Sequence, residues 1–262
     1  MLTTRFVTGA PNWIDVGTPD IEGAVAFYAG LFGWRFQPRG PETGGYGLFQ
    51  LGGRTVAGGM RTTREQGPPS WTVYFQVPDA EAAARAAEEA HGSVLARPAD
   101  VLDMGRTAVL ADRAGVGFGL WQPGATEGLD VAGEPGSLRW LELYTPDVPA
   151  AAGFYHATLG LETFALDFYG GTYTTFSPAG QGEGGMFGGV VDRSDDPAEA
   201  GQAPYWLPYF EVADTDTTAA MARELGGTVR VAPTDLPDVG RVAKLTDPFG
   251  ARFAVIRSTP RS

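Results

Sequence analysis

The sequence of 262 residues contains no cysteine, which excludes disulfides, thiolate metal sites and cysteine nucleophiles together. Positive charge is also scarce. Lysine and arginine total 19 against 31 acidic residues, Lys244 is the single lysine, and the formal net charge is −12. Such a surface repels phosphate backbones and anionic headgroups, so neither nucleic acid nor membrane is expected as a partner. There are two histidines, His91 and His156. No apolar run approaches the roughly 18 residues needed to cross a bilayer. The opening "MLTTRFVTGAPNW" lacks the charged-then-apolar pattern of a signal peptide. A cytoplasmic protein, monomer or homodimer, is expected.

What is present is repetition. "WIDVGTPD" at 13–20 returns as "WLELYTPD" at 140–147, so Trp13 and Trp140 lie 127 apart, as do the "FY" pairs at 27–28 and 154–155. Later, Asp112 and Asp247 are 135 apart, as are Arg106 and Arg241. The second copy has therefore gained about eight residues, which the sequence places in the charged stretch "VVDRSDDPAEAGQAP", 190–204. "PGATEGLDVAGEPGS" has the composition of a linker. Domains at 1–123 and 138–262, joined by 124–137, are expected. Each divides again, because the stretches from Thr72 and Leu207 repeat the plan of strand, Asp and helix.

In the first helix Ala24, Phe27, Tyr28, Leu31 and Phe32 form one apolar stripe, repeated by Ala151, Phe154, Tyr155, Thr158 and Leu159. Asp20, Asp79, Asp147 and Asp214 stand where strand gives way to helix and read as N-caps. "GRTAVLADRAGVGFGLW" and "GRVAKLTDPFGARFAVI" read as hairpins. One helix per three or four strands predicts an α+β fold with the helices on one sheet face.

Strand alternation sorts each module's first strand. One face takes Ile14 and Val16, then Val73, Phe75 and Val77, Leu141 and Leu143, and Phe210 and Val212; it must hold the helices. The other takes Trp13 and Asp15; Thr72, Tyr74 and Gln76; Trp140, Glu142 and Tyr144; Leu207, Tyr209 and Glu211. Aromatics interleaved with single carboxylates suit a mostly apolar pocket with a few polar groups; a dimer interface or a partly wet face is the plainer alternative. The glycine-rich runs "ETGGYG" and "GGTYTT" lack the strand-to-helix setting of a phosphate loop.

The segments "TPDIEGAVAFYAGLFGW", "TPDVPAAAGFYHATLGLE", "GRTAVLADRAG" and "GRVAKLTDPFG" resemble the vicinal oxygen chelate superfamily, also called the glyoxalase, bleomycin-resistance and extradiol-dioxygenase fold. The resemblance implies four βαβββ modules forming two domains, each a curled mixed sheet around a cavity with helices outside. Catalytic members typically hold a divalent metal through a His early in a module's first strand and a Glu late in its last. The matching positions here are Trp13, Thr72, Trp140 and Leu207, then Gly119 and Ala254, with Gly58 and Gly59 in the first module and Glu183 as the nearest carboxylate in the third. No metal or other cofactor is expected, nor metal-dependent glyoxalase or dioxygenase activity.

The residue pattern then suggests a metal-independent enzyme of lyase, isomerase or hydrolase type acting on a small hydrophobic or aromatic metabolite. Glu142 is the first candidate acid/base and Asp15 the second, since aromatic enclosure would raise a carboxylate's pKa. Trp13, Tyr74, Trp140, Tyr144, Tyr209 and Glu211 would line the ligand. Arg106 and Arg241 would bind a substrate oxygen, unless Asp103 or Asp238 beside them takes the charge. The alternative is a non-catalytic protein that sequesters a drug or metabolite, as the bleomycin-resistance branch does.

Overall fold

The structure is a computed structural model that describes residues 2, 4, 6–40, 43–168 and 171–259; Glu42 and Gly170, which open the two glycine-rich runs, lie outside them. The first module comprises β1 (Pro11–Thr18), α1 (Ile21–Phe32), β2 (Arg35–Pro38), β3 (Gly47–Leu51) and β4 (Arg54–Arg61). The second comprises β5 (Ser70–Gln76), α2 (Ala80–Glu89), β6 (Ser93–Val101), β7 (Gly105–Ala111) and β8 (Gly117–Pro123). The third runs through β9 (Leu138–Thr145), α3 (Val148–Leu159), β10 (Leu161–Phe168), β11 (Gly171–Pro178) and β12 (Gly188–Asp192). The fourth is β13 (Tyr205–Glu211), α4 (Thr215–Glu224), β14 (Thr228–Leu236), β15 (Gly240–Thr246) and β16 (Arg252–Ser258).

This is the α+β arrangement of four βαβββ modules. The sixteen strands form two open mixed sheets, in the orders β2-β3-β4-β1-β5-β8-β7-β6 and β10-β11-β12-β9-β13-β16-β15-β14. In every module the first strand lies parallel to the last, and antiparallel hairpins supply the rest. Among the described residues no helix is long and apolar enough to cross a membrane.

The helices start where the aspartates stand. Asp20, Asp79, Asp147 and Asp214 each accept from the backbone N–H three residues on, at 3.1, 3.0, 2.9 and 2.8 Å, satisfying a donor that the first turn leaves open. Gly33 and Gly160 end α1 and α3 at φ 72° and 70°, a left-handed conformation that costs glycine nothing. The strand residues assigned to the helix-bearing face, from Ile14 to Val212, are all buried.

The strands of residues 11–123 occupy one sheet and those of 138–258 the other, whereas compact packing groups the chain by helices. One unit comprises residues 1–13, 72–128 and 140–206, and the second 14–71, 129–139 and 207–262. The first unit is built on Phe75, Phe118, Phe154, Tyr155, Phe176, Phe187 and Trp206, with ring centroids 5.2–6.4 Å apart. At its centre Trp206 Nε1 donates to the Tyr155 hydroxyl at 2.9 Å, and that hydroxyl donates to Asp112 Oδ2 at 3.4 Å. The second unit repeats the device around Tyr28, Trp34, Phe49, Trp71, Phe210 and Phe253. There Trp71 Nε1 donates to Tyr28 and Tyr28 to Asp247 Oδ2, both at 3.2 Å. Both aspartates use Oδ1 to accept two backbone N–H groups of their own turns, at 2.8–2.9 Å.

The extra residues of the second copy enter in two steps. Asp15 pairs with Gly58 and Glu142 with Gly189, so the copies are already 131 apart at those glycines, before the 135 of Trp71 and Trp206. Half of the gain therefore lies between β11 and β12, where a nine-residue connection replaces the two-residue turn of the first copy, and only half in the loop after β12. The sequence reading placed all of it in that loop, because polar insertion at a β-turn leaves no mark in the flanking strands.

Replacing Tyr28 or Tyr155 by Phe strands a buried indole N–H and a carboxylate oxygen. Each substitution is expected to lower stability by about 1–3 kcal/mol in urea unfolding. Burial also raises the pKa of Asp112 and Asp247, partly offset by their backbone hydrogen bonds. A carboxyl held higher in the folded than in the unfolded chain stabilises most below the unfolded value of about 3.9, and that contribution fades as pH rises through the folded value. The stability of the natural chain relative to Asp247→Asn should thus be greater at pH 4 than at pH 7; growth of the difference with pH would contradict this assignment.

Candidate functional site

On β9, Trp140, Glu142 and Tyr144 project from the face opposite Leu141 and Leu143, both fully buried. Glu142 stands half-buried with both oxygens engaged. Tyr144 donates to Oε2 at 2.7 Å and Tyr173, from β11, donates to Oε1 at 2.9 Å. The Tyr173 hydroxyl in turn accepts from Trp140 Nε1 at 3.0 Å. Tyr205 stacks on Tyr144 with centroids 5.6 Å apart and planes at 21°, and Phe168 leans on Tyr173 at 5.6 Å. A single carboxylate therefore sits within an aromatic wall, fixed in direction by two O–H donors. Desolvation, and then the Glu142 charge, raise the Tyr173 phenol well above its ordinary range, so it remains a donor at neutral pH.

Tyr173 reaches Glu142 because β12 between them carries no side chain at the crossing point. Gly189 is the register partner of Glu142, and a Cβ there would stand 2.0 Å from the Tyr173 hydroxyl. The first module does the same: Tyr46 donates to Asp15 Oδ2 at 3.1 Å across Gly58, whose Cβ would stand 1.8 Å from that hydroxyl. Asp15 is 5% exposed. Residue 17, which matches Tyr144, is a glycine, so the first module lacks the second phenol.

Tyr46 and Tyr173 were not singled out from sequence, although a signal existed: they are 127 apart, the spacing of the two tryptophans. Their glycine-rich runs turn out to carry an aromatic side chain across a bare strand. Tyr205 was likewise not anticipated.

The remaining candidates separate. Tyr74 lies flat over Gly119, its register partner, where a Cβ would come within 1.9 Å of the ring. Trp13 is half-buried on β1, and Tyr209 is buried on β13 beside Ala254. Glu211 is engaged by the chain's own latch: it accepts from Ser258 N at 2.9 Å and Ser258 Oγ at 2.5 Å, and pairs with Arg139 at 3.2 Å. Arg106 pairs with Asp100 and Glu81, each at 3.2 Å. Arg241 pairs with Asp216 at 2.6 Å and Asp235 at 3.1 Å. One partner of each arginine, Glu81 or Asp216, stands in the first turn of α2 or α4, so the two arginines point to the helix side, away from the face of Tyr74 and Tyr209. Their partners are not Asp103 and Asp238, because register sets Asp100 and Asp235 directly opposite them. His91 and His156 are exposed at the ends of α2 and α3, where His156 Nδ1 donates to the Leu161 carbonyl at 2.9 Å. Glu183 is exposed on a 3-10 turn.

A family model described as "Glyoxalase/Bleomycin resistance protein/Dioxygenase superfamily" matches residues 10–120 and again 137–255. The chain belongs to that superfamily. Among known relatives, the "Anthracycline biosynthesis protein DauV" of Streptomyces sp. (strain C5) is 41% identical over 276 aligned residues, covering 97% of this chain and 94% of DauV. Among solved structures, the 2,3-dioxygenase LapB of Pseudomonas sp. KL28 superposes with a TM-score of 0.64 at 14% identity, covering 97% of this chain and 94% of LapB. The Mn(II)-bound glyoxalase of Novosphingobium aromaticivorans superposes with a TM-score of 0.62 at 14% identity, covering 95% of this chain and 83% of that one. At such identities the two structures speak for the fold alone.

The superfamily's metal-bearing members raise the question of whether the residues around Glu142 fit a divalent ion. Among the described residues they do not. Trp140 and Gly189 flank Glu142 where further ligands would be needed, its two oxygens already accept O–H bonds, and among the described residues no three of His, Asp and Glu come together. A protein site for such an ion normally draws about three of those donors.

Gly189→Ala should displace the Tyr173 hydroxyl from Glu142, since the nearest atoms the new methyl meets all belong to the Tyr173 phenol. In a spectrophotometric titration, Tyr28, Tyr155 and Tyr173 are expected to resist ionisation until alkaline unfolding, because burial raises all three. Gly189→Ala should return one phenol to the ordinary range near pH 10.

Proposed function

We propose that this member of the glyoxalase-fold superfamily is a metal-independent enzyme acting on a polycyclic aromatic metabolite, with Glu142 as its acid/base. The observation that carries the reading is the Glu142 carboxylate held by two phenol hydroxyls in an aromatic wall. Glu142 would take a proton from an acidic carbon or hydroxyl of the substrate and return it to another atom of the product or to a leaving group. This is lyase, isomerase or hydrolase chemistry that needs no redox partner. Tyr144 and Tyr173 would orient the carboxylate and exchange one of their hydrogen bonds for the substrate as the proton moves. Trp140 offers flat apolar surface to a planar ring system. The kinship with a protein named for anthracycline biosynthesis supports a fused-ring substrate.

A binding protein is the second reading, and one observation favours it: both Glu142 oxygens are already satisfied, so the carboxylate could simply brace the two tyrosines. The two readings part on Glu142→Gln. With a fused-ring anthraquinone ketone as probe, binding is followed by tryptophan quenching, and conversion or deuterium uptake from D2O by mass spectrometry. Enzyme action predicts affinity within about threefold of the natural chain but conversion or exchange reduced at least about 100-fold. A sequestering protein would show neither conversion nor exchange in either form and a change in affinity alone. Trp140→Ala should weaken binding about tenfold under both readings.

A further inference from the structure

The hairpin turns that carry Asp112 and Asp247 share one backbone and differ in one side chain. In each, Oδ1 accepts the backbone N–H groups two and four residues on, from Ala114 and Val116 in one and Phe249 and Ala251 in the other. A glycine of positive φ, Gly115 or Gly250, completes the turn. In the second unit the Phe249 ring lies over the first turn of α1, so close that a Cβ on Gly23 would stand 2.5 Å from Cζ. The matching residues of the first unit are Ala114 and Ala150. There a cleft of about 180 Å³ lies between the turn and the start of α3.

Five of the eight residues that line this cleft, Asp112, Thr145, Pro146, Asp147 and Ala151, have the same residue type at the matching position of the second unit. The three that differ are Ala114 for Phe249, Ala150 for Gly23 and Arg113 for Pro248. The frame that seats a phenyl ring in the second unit is therefore kept in the first, without the ring. Asp112, Thr145 and Ala151 are buried at its inner end, and Arg113 is exposed at its mouth. Thr145 continues the row of Leu141 and Leu143 along β9, so the cleft is on the helix side of that strand, opposite to Glu142. A cavity of about 150 Å³ is enough to hold benzene, and loosely held water yields such a place to an apolar group with a gain in affinity. Arg113 brings a planar cation to the mouth, suited to the open face of a ring.

We propose that this cleft is a binding site for one small, uncharged, single-ring aromatic molecule, which takes the place that Phe249 fills in the second unit. Ala114 and Ala150 make room for the ring, and Arg113 covers its outer face. The inference does not rest on Glu142 catalysis, because the site is on the other side of β9 and is read as binding without turnover.

The test titrates phenol into the full chain labelled with 13C at the alanine methyl groups, and follows Ala114, Ala150 and Ala151 by NMR. The natural protein should show saturable ring-current shifts at those methyls with a dissociation constant of about 1 mM or tighter. Cyclohexanol, similar in size but not flat, should compete about threefold more weakly than phenol binds. Ala114→Phe combined with Ala150→Gly installs the pair of the second unit and should weaken phenol binding at least about tenfold, read at Ala151. No saturable shift in the natural protein, equal competition by cyclohexanol, or an undiminished response in the folded double variant would overturn the proposal. Because that variant can fail to fold, the reciprocal change supplies a second readout. Phe249→Ala combined with Gly23→Ala removes the ring from the second unit and should create a second phenol site, seen as a new saturable shift at the methyl of Ala24. Absence of that shift also overturns the assignment.

Discussion

A phenol hydroxyl enclosed among aromatic rings must find both a donor and an acceptor, and the packing of each unit turns on that requirement. Tyr155 accepts from Trp206 and donates to Asp112; Tyr28 accepts from Trp71 and donates to Asp247. Each aspartate also accepts two backbone N–H groups and so fixes the turn of its hairpin. The phenol comes from the first or third module while its aspartate comes from the fourth or second. One hydrogen-bonded chain therefore ties a helix, a strand and a hairpin from distant parts of the sequence, and an unmet partner would cost more than any single surface contact.

The same chemistry recurs at the candidate site with a different outcome. There the phenol of Tyr173 meets an indole N–H and a carboxylate on a half-buried sheet face. The carboxylate of Glu142 carries a second phenol. In the core a Trp, Tyr and Asp chain is closed by backbone. At β9 the Trp, Tyr and Glu chain runs on through the Glu142 carboxylate to a second side chain, Tyr144. The two halves are also unequal: Asp15 has Tyr46 but a glycine where Glu142 has Tyr144, and the fourth module carries Lys244 where the second has Val109. Duplication supplied the frame, and substitution on one face differentiated its copies.

Much of this was legible in the residues. Repeats at a spacing of 127, an aspartate before each helix and two-residue alternation along the strands led to four modules, their caps and the face on which Trp140, Glu142 and Tyr144 stand. Those features are local, encoded within a turn or a few strand residues, and so survive translation into a one-dimensional pattern. The role of Arg106 and Arg241 was not legible, because a hairpin arginine reaches either face of a sheet equally well until register sets Asp100 and Asp235 opposite it. Tyr46 and Tyr173 were overlooked because their significance lies in glycines on a neighbouring strand.

By itself the sequence determined the modular α+β fold, the capped helix starts and the chemical types available on each face, since periodicity and propensity act over a few residues. The tertiary structure alone decided which groups meet. Tyr28 with Asp247 and Phe249 with Gly23 depend on strand register and on packing between distant segments. Tyr173 with Glu142 depends in addition on a missing side chain at Gly189. These relations are set by the balance of burial and hydrogen bonding across the whole chain, and no window of neighbouring residues contains them.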